Sequence, residues 1–181
     1  MGCERLAVQV CPPRLTMDNP YYEKLVNAAL RFVSYRPRSE KELTDFLTKK
    51  LTRWKVSGGV LIKKVIERMR ELGYVDDRVF AAWWVDQRTS FKPKGRRFIA
   101  LELTRKGISR EYIDEALKGQ EGDKKRFNEL EGAQKAIQKK LVLWARMPII
   151  EQKKKVYTFL AQRGFSSDTI EKIIDEIDKK D

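Results

Sequence analysis

The chain has 181 residues, of which 41% are hydrophobic and 36% charged, and it carries a formal net charge of +13 without a single histidine. This length fits one large domain or a few small ones, and the hydrophobic content suffices for a packed core. The lack of histidine removes the commonest general base near neutral pH and the commonest metal ligand. Such an excess of positive charge indicates a polyanionic partner: a nucleic acid, a protein–nucleic-acid assembly or an anionic membrane surface.

The two cysteines, Cys3 and Cys11, lie close together in the N-terminal stretch. Two thiols without histidine make a poor zinc site, so we expect reduced thiols in a cytoplasmic protein that needs no metal or other cofactor. No run approaches the roughly 18 apolar residues of a membrane span, and no signal peptide is recognisable. We therefore expect no membrane partner.

Apolar residues recur at helical spacing from Tyr21 onward. One stripe ends at Pro37, and the next is opened by the sequence SEKE, a capping box in which Ser39 and Glu42 satisfy backbone N–H groups at a helix start. A third stripe ends before Gly73, which suits the left-handed residue beyond a helix. The segment up to Gly73 is thus predicted to form three helices.

The same pattern recurs twice further along the chain. Residues 92–117 match residues 154–174, with Gly107 opposite Gly164 and equivalent apolar positions on both sides. The first three stripes fit the same alignment once an insertion within LTRWKVSGG is allowed. A period of roughly 50 residues with helical content is typical of tandem repeats. We predict an all-α fold of three tandem three-helix repeats that form an elongated, curved array.

The repeats divide the chain into five parts. Residues 1–20 form a leader or short N-terminal arm, 21–77 repeat 1, 78–120 repeat 2, 121–131 a charged linker and 132–178 repeat 3. Each repeat is expected to contribute three helices, because such a unit buries its apolar face only among its own helices and its neighbours. Any sheet is expected to be confined to the leader.

Two adjacent carboxylates, Asp76 and Asp77, precede the first helix of repeat 2. Aspartate is a preferred N-cap, and a second carboxylate there interacts favourably with the helix dipole. A catalytic pair would need a dry pocket and a partner acid, base or metal, and the sequence has neither histidine nor another acidic cluster at ligand spacing. We interpret both residues as structural and predict neither a catalytic nor a metal site.

Basic residues cluster around the start of the middle helix of repeat 2. Between Arg88 and Arg110 a single acid, Glu102, stands among eight basic residues, and the matching place in repeat 1 is also basic. One such run is usually a solvated helix face, but recurrence at one repeat position favours a continuous basic surface along the array. The predicted binding residues are Arg36, Arg38, Lys92, Lys94, Arg96, Arg97, Arg105 and Lys106.

Aromatic side chains are a second source of contacts to nucleic acid, because bases stack on them. Most of the 4 Trp, 6 Tyr and 8 Phe fall on apolar helical stripes, so we assign them to the core. Trp54, inside the basic insertion, is the aromatic residue that we expect to be most exposed.

Three segments, YRPRSEKELTDFL, ELGYVDDRVFAAWW and KGRRFIALELTRKGISREYIDEAL, closely resemble the RecX family of bacterial regulators of the RecA recombinase. The resemblance runs from about Leu25 to Leu117 and continues more weakly through repeat 3. It is carried by R-x-R-S-E-x-E-L, G-Y-x-D-D-x-x-F-A and E-L-x-x-K-G-I in this order. Besides Arg36 and Arg38, the signature positions are Ser39, Glu42, Leu43, Gly73, Tyr74, Asp76, Asp77, Phe80, Ala81, Gly95, Leu103, Gly107 and Ile108.

The resemblance implies a non-enzymatic regulator that binds the RecA–DNA nucleoprotein filament in its deep helical groove. It implies suppression of RecA ATPase, strand exchange and coprotease activity in recombination and the SOS response. The expected partner is the filament and the expected state is a monomer. Whether single- or double-stranded DNA is contacted directly is left open, as is the direction of regulation.

The residues also leave an alternative class, an independent DNA-binding protein that either lacks sequence preference or uses a helix-turn-helix. Sequence-specific readout needs a short recognition helix with Arg, Asn or Gln side chains for base edges. No such helix is recognisable, which counts against this alternative.

Overall fold

The structure is a computed structural model that describes residues 20–118 and 127–178. Over these residues it contains nine α-helices and no strand, so the predicted all-α fold of three three-helix repeats is confirmed. The helices are α1 (Pro20–Ser34), α2 (Glu40–Trp54) and α3 (Gly59–Glu71) in repeat 1, α4 (Asp77–Ser90), α5 (Arg96–Arg105) and α6 (Arg110–Lys118) in repeat 2, and α7 (Glu129–Trp144), α8 (Ile149–Ala161) and α9 (Ser167–Asp178) in repeat 3.

The predicted division of the chain falls partly outside the described residues. Residues 1–19 of the predicted leader and residues 121–126 of the predicted charged linker are not among the described residues. Helix α7 begins at Glu129, inside the stretch predicted as linker, because Asn128 accepts two backbone N–H groups and acts as its N-cap. The exact boundaries of the repeats stay a prediction.

Each repeat buries a hydrophobic core of its own, built from one stripe of each of its helices. Burial of a single large apolar side chain contributes roughly 1.5 to 3 kcal/mol, so every repeat has its own source of stability. The largest fully buried side chains are Leu25, Leu43, Leu47 and Met69 in repeat 1, Phe80, Ile99 and Leu103 in repeat 2, and Ile137, Leu160 and Ile170 in repeat 3. The signature residues Ala81 and Ile108 are buried in the second core.

Successive repeats join through their middle helices. Ser39, the N-cap of α2, donates its hydroxyl to the backbone oxygen of Lys106 at the end of α5, at 2.8 Å. At the next junction Gly95, the N-cap of α5, donates its N–H to the backbone oxygen of Arg163 beyond α8, at 3.0 Å. Ser39 and Gly95 hold the same repeat position, as do Lys106 and Arg163, so the two junctions are built alike.

Glycine is required where these junctions are closest. Gly107 and Gly164 follow the middle helices of repeats 2 and 3 with φ of 83° and 77°. A Cβ on Gly107 would lie 2.7 Å from the Cβ of Lys41, and one on Gly164 would lie 2.0 Å from the ring of Phe98. Both the left-handed backbone and the neighbouring repeat therefore exclude a side chain.

The two adjacent aspartates cap two different helices. Asp76 is the N-cap of α4 and accepts the N–H groups of Arg78 at 2.8 Å and Val79 at 3.1 Å, as predicted for this pair. Asp77 instead accepts the N–H of Glu40 at 2.8 Å, which belongs to the start of α2 in the preceding repeat. Both carboxylates lie at the start of α4, as predicted, but the hydrogen bond of Asp77 to the preceding repeat was not predicted.

Repeat 3 uses the same arrangement with other side chains. Asn128 caps α7, in the way that Asp76 caps α4, while the carboxylate of Glu129 accepts the N–H of Arg96 at 3.0 Å. The first residue of α4 and the first residue of α7 thus each satisfy a free N–H group at the start of the preceding middle helix. These hydrogen bonds contribute to the contact between successive repeats.

Candidate functional site

The exposed part of the predicted basic surface lies on the loop before α5 and on α5 itself. Lys92, Arg96, Arg97 and Arg105 are exposed, and within residues 20–118 and 127–178 their side chains make no ion pair. The backbone N–H of Arg96 donates to Glu129 at the repeat junction, while the guanidinium of Arg96 is exposed to solvent. Uncompensated surface cations attract phosphates and carboxylates over about 8 to 10 Å at moderate salt. These four residues, Lys92 in the loop and Arg96, Arg97 and Arg105 on α5, are together termed the basic loop.

Lys94 is drawn into an ion-pair network around Glu102 of α5. The carboxylate of Glu102 accepts hydrogen bonds from Lys94, from Nε of Arg88 at 2.6 Å and from the indole N–H of Trp84 at 3.0 Å. Burial alone would raise the pKa of Glu102, but the hydrogen bonds from its three partners hold this pKa below its ordinary value. Lys94 is therefore occupied within the protein and does not belong to the basic loop.

Arg36 and Lys106 meet at the carboxylate of Glu42 in α2. Arg36 donates to Glu42 at 3.0 and 3.2 Å, and Lys106 donates from the following repeat. Burial alone would raise the pKa of Glu42, but the hydrogen bonds from Arg36 and Lys106 bring it below its ordinary value. The predicted capping box is therefore only half correct: the Ser39 hydroxyl accepts the N–H of Glu42 at 3.2 Å, while the Glu42 carboxylate serves the junction.

Two cations of repeat 2 contact the indole of Trp84. The guanidinium of Arg88 lies 4.4 Å from a ring centroid of Trp84, and the ammonium of Lys106 lies 4.2 Å from it. Such cation–π contacts contribute about 0.5 to 2 kcal/mol each, depending on how far the cation is desolvated. Trp84 is half-buried and is covered by cations of its own repeat, so this aromatic residue is not an exposed platform.

Arg38 is anchored on its own repeat. Its guanidinium stacks on the ring of Phe32 at 3.9 Å, and Nε donates to the backbone oxygen of Phe32 at 3.3 Å. Burial lowers the pKa of Arg38, and the neighbouring Arg36 lowers it further. An arginine nevertheless stays charged at neutral pH, so the contact is cationic.

The eight residues predicted to form one basic surface thus fall into two groups. One group is the basic loop. The other group is occupied by contacts within the protein and consists of Arg36, Arg38, Lys94 and Lys106. The recurrence of basic residues in the sequence does not show which of them are free, because a basic side chain is paired only when the fold brings an acidic side chain or an aromatic ring close to it.

A groove of about 410 Å³ lies where repeats 1 and 2 meet. Its lining contains Lys41, Glu42, Asp45, Trp84, Arg88, Glu102, Arg105 and Lys106. The cations and carboxylates of this set nearly balance, so the groove has little net charge. Of the basic loop only Arg105 lines this groove, so the attraction for a polyanion is concentrated on Lys92, Arg96 and Arg97 outside it.

The sequence-based assignment of exposed aromatic residues is wrong. Trp54 is half-buried and packs against Tyr21 with ring centroids 5.9 Å apart. Two other aromatic side chains are far more exposed, Tyr35 at 86% and Phe91 at 75%. Each of them follows the first helix of its repeat and directly precedes a basic residue and a proline, Arg36-Pro37 or Lys92-Pro93. That local signal was available in the sequence.

The described part of the chain shows neither a cluster of metal-ligating side chains nor a membrane-spanning helix. It contains no group of three or more side chains of the types that ligate metals. None of its helices is both long enough and apolar enough to cross a bilayer. The side chains of Asp76 and Asp77 are bound to helix starts, as described above.

Curated relatives of this chain carry the name Regulatory protein RecX. The protein from Chlorobium phaeobacteroides is 34% identical over 160 residues, which cover 86% of this chain and 94% of that protein. The one from Prosthecochloris aestuarii is 31% identical over 166 residues, covering 89% and 98%. The one from Bacillus subtilis is 33% identical over 156 residues, covering 86% of this chain but only 56% of that protein. The chain therefore spans about half the length of the Bacillus relative.

Two crystal structures have the same fold. RecX from Lactobacillus salivarius matches with a TM-score of 0.69 at 26% identity, covering 87% of this chain and 96% of that one. A second structure, described as regulatory protein RecX, matches with a TM-score of 0.67 at 27% identity, covering 85% and 73%. The repeat architecture is thus shared with solved proteins.

The fold and its exposed cations define a basic protein of tandem three-helix repeats. Models of the first, second and third three-helix domains of RecX match residues 26–52, 76–117 and 128–174, in the order of the repeats. The chain belongs to the RecX family of regulatory proteins.

Proposed function

We propose that this protein binds the RecA–DNA nucleoprotein filament and inhibits RecA ATPase, strand exchange and coprotease activity, and so regulates recombination and the SOS response. Membership of the RecX family supports the choice of partner. The observation that carries the proposal is the basic loop, whose four cations are exposed and unpaired within the described residues. We further propose that the protein acts in the cytoplasm as a monomer without a cofactor.

A nucleoprotein filament offers such a loop both phosphates and acidic protein side chains. Each phosphate that the loop neutralises releases counterions, so binding weakens as the salt concentration rises. Charges that are already paired inside the protein contribute little to this effect, because the approaching partner would first have to displace their carboxylates. The proposed contact surface is therefore the basic loop and excludes Arg36, Arg38, Lys94 and Lys106.

The test measures RecA ATPase on single-stranded DNA while this protein is titrated in, at two salt concentrations. We expect inhibition that weakens with salt and that is impaired when Arg96 and Arg97 are both changed to Glu. Helix content and melting temperature should stay nearly unchanged, because exposed charges contribute little to folding. The matched control is Lys139→Glu with Lys140→Glu, which makes the same charge change at exposed positions of α7.

The outcomes separate the function from the surface. A RecA ATPase rate that is unchanged by the wild-type protein would contradict inhibition of RecA. Wild-type inhibition by the Arg96 and Arg97 double variant would instead move the contact surface to another face of the protein. If inhibition were lost equally in the control variant, the effect would be due to net charge alone.

A further inference from the structure

A second basic site, outside the basic loop, lies in repeat 1. A groove of about 420 Å³ opens between α1 and α2, and its lining combines three aromatic rings with three cations and contains no carboxylate. The rings and cations are Phe32, Tyr35, Phe46, Lys24, Arg31 and Lys50. This combination differs from the groove between repeats 1 and 2, where acids balance the cations.

The aromatic part of this groove is closely stacked at its base and open at its edge. Phe32 and Phe46 stack with ring centroids 4.2 Å apart and planes inclined by 2°. Arg38 stacks on Phe32 and so fixes that ring further. Tyr35 stands beside this pair with 86% of its surface exposed. The groove therefore offers a free ring next to a rigid aromatic base.

The cations of the groove are available to a ligand. Lys24 and Arg31 are exposed and Lys50 is half-buried, and none of the three forms an ion pair within the described residues. The ammonium of Lys50 lies 5.5 Å from the ring of Phe46, which places positive charge directly beside the aromatic base. A ligand for this groove should accordingly present flat rings and negative charges at short spacing.

We propose that this groove binds single-stranded DNA directly, with an unstacked base on Tyr35 and the adjoining phosphates at Arg31, Lys24 and Lys50. Aromatic platforms beside unpaired cations are the means by which proteins hold single strands, because every base has a face to stack and every nucleotide a phosphate. An acidic peptide would use the cations but not the rings, and a duplex keeps its bases stacked inside. The inference extends the proposed function to the DNA of the filament, yet it is tested without RecA.

The experiment measures binding of the full chain to fluorescein-labelled oligo(dT) by anisotropy over a series of salt concentrations. Tyr35→Ala should weaken binding roughly five- to a hundredfold without changing the salt slope, because it removes stacking only. Arg31→Ala should reduce the slope of log K against log salt by about 0.7, as expected for one lost phosphate contact to a single strand. The controls are Phe91→Ala and Arg53→Ala, which remove an exposed ring and an exposed cation outside the groove.

Three results would overturn the inference. The first is absence of oligo(dT) binding by the wild-type protein, and the second is wild-type affinity of Tyr35→Ala. The third is a loss in Phe91→Ala as large as the loss in Tyr35→Ala. If Tyr35→Ala bound DNA normally but failed to inhibit RecA ATPase, the groove would serve a protein segment, and the proposed function would stand without this inference. Because Tyr35 is exposed, unchanged melting temperatures should accompany every variant.

Discussion

The carboxylate of Asp77 accepts the backbone N–H of Glu40 at 2.8 Å, across the boundary between repeats 1 and 2. Glu40 is the first residue of α2 and Asp77 the first residue of α4. The Asp77 carboxylate therefore accepts a backbone N–H that has no partner within α2. Burial raises the pKa of Asp77 above its ordinary value, although the hydrogen bond from Glu40 acts in the opposite direction. The second carboxylate of the family motif thus has a role at the junction between repeats 1 and 2.

Asp77→Ala should lower the free energy of unfolding by about 1 kcal/mol, because the N–H of Glu40 loses its acceptor. Asp76→Ala should cost about as much through loss of the cap of α4. Urea unfolding followed by circular dichroism measures both variants. A fully stable Asp77→Ala protein that failed to act on RecA would show instead that this carboxylate is a contact group.

The two caps are distinguished by Glu40→Pro, which removes the donor at a position where helices tolerate proline. In that background Asp77→Ala should cost less than in the wild type, while the cost of Asp76→Ala should be unchanged. The coupling between Glu40 and Asp77 is expected to be about 0.5 to 1 kcal/mol. Equal costs of Asp77→Ala in both backgrounds would rule out capping across the junction.

Gly95→Ala should destabilise the junction between repeats 2 and 3. The φ of −70° at Gly95 suits any residue, but an added Cβ would lie 2.0 Å from the backbone oxygen of Gly164. Because backbone cannot rotate away, we expect a loss of about 1 to 3 kcal/mol, measured by urea unfolding. The control is Gly59→Ala, where an added Cβ meets nothing within 4 Å and stability should not fall.

Lys92 and Lys94 are close in sequence, but replacing them by alanine should have different effects, on filament binding for Lys92 and on stability for Lys94. Lys94→Ala removes a charged partner of Glu102 and should lower the free energy of unfolding by about 1 kcal/mol. Lys92→Ala should change it by less than about 0.5 kcal/mol, since Lys92 is exposed, yet it should weaken filament binding. Melting curves and salt-dependent filament binding of the two variants provide the comparison. Similar behaviour of the pair would contradict the division of the basic residues.

Stability of the junction between repeats 1 and 2 should depend on pH through Glu42. The folded-state pKa of Glu42 lies below its ordinary value. Its contribution is therefore complete above the unfolded-state pKa of about 4.3 and is lost as the pH falls through the folded-state pKa. Glu42→Gln should be less stable than the wild type by about 1 to 2 kcal/mol at neutral pH, and this difference should shrink in acid.

Urea unfolding at about pH 7 and about pH 3 measures the effect of Glu42→Gln. The matched control is Glu111→Gln, because Glu111 is an exposed carboxylate of α6 that forms no ion pair within the described residues. That variant should follow the wild type at both pH values. A difference between Glu42→Gln and the wild type that stays constant with pH would mean that the ion pairs of Glu42 do not stabilise the junction.

Much of the fold was predictable because its signals are local. Helical spacing of apolar residues, Ser39 before α2 and Gly107 after α5 act within a few neighbouring residues, so they can be read without knowing the tertiary structure. The recurrence of these signals indicated three repeats. The same reasoning placed both aspartates at the start of α4, as observed, but missed the hydrogen bond of Asp77 to Glu40, because that partner is 37 residues away.

The candidate sites were less predictable. Basic composition pointed to a polyanionic partner, yet it could not tell Lys92 from Lys94. Nor did it reveal the groove of repeat 1, whose rings and cations come from two helices and lie among residues that each suit an ordinary amphipathic pattern. The exposure of Tyr35 follows from its place in the short loop before Arg36 and Pro37, whereas composition alone does not indicate it.

By itself, the sequence determined the helices, the repeat number and the excess of positive charge, since these depend on residue types and their spacing along one chain. Only the tertiary structure decided which of the charges are free. An ion pair forms when side chains come within about 4 Å, and Lys106 reaches Glu42 from a residue 64 positions away. Packing of one repeat on the next sets that distance, and with it the surface that remains for a partner.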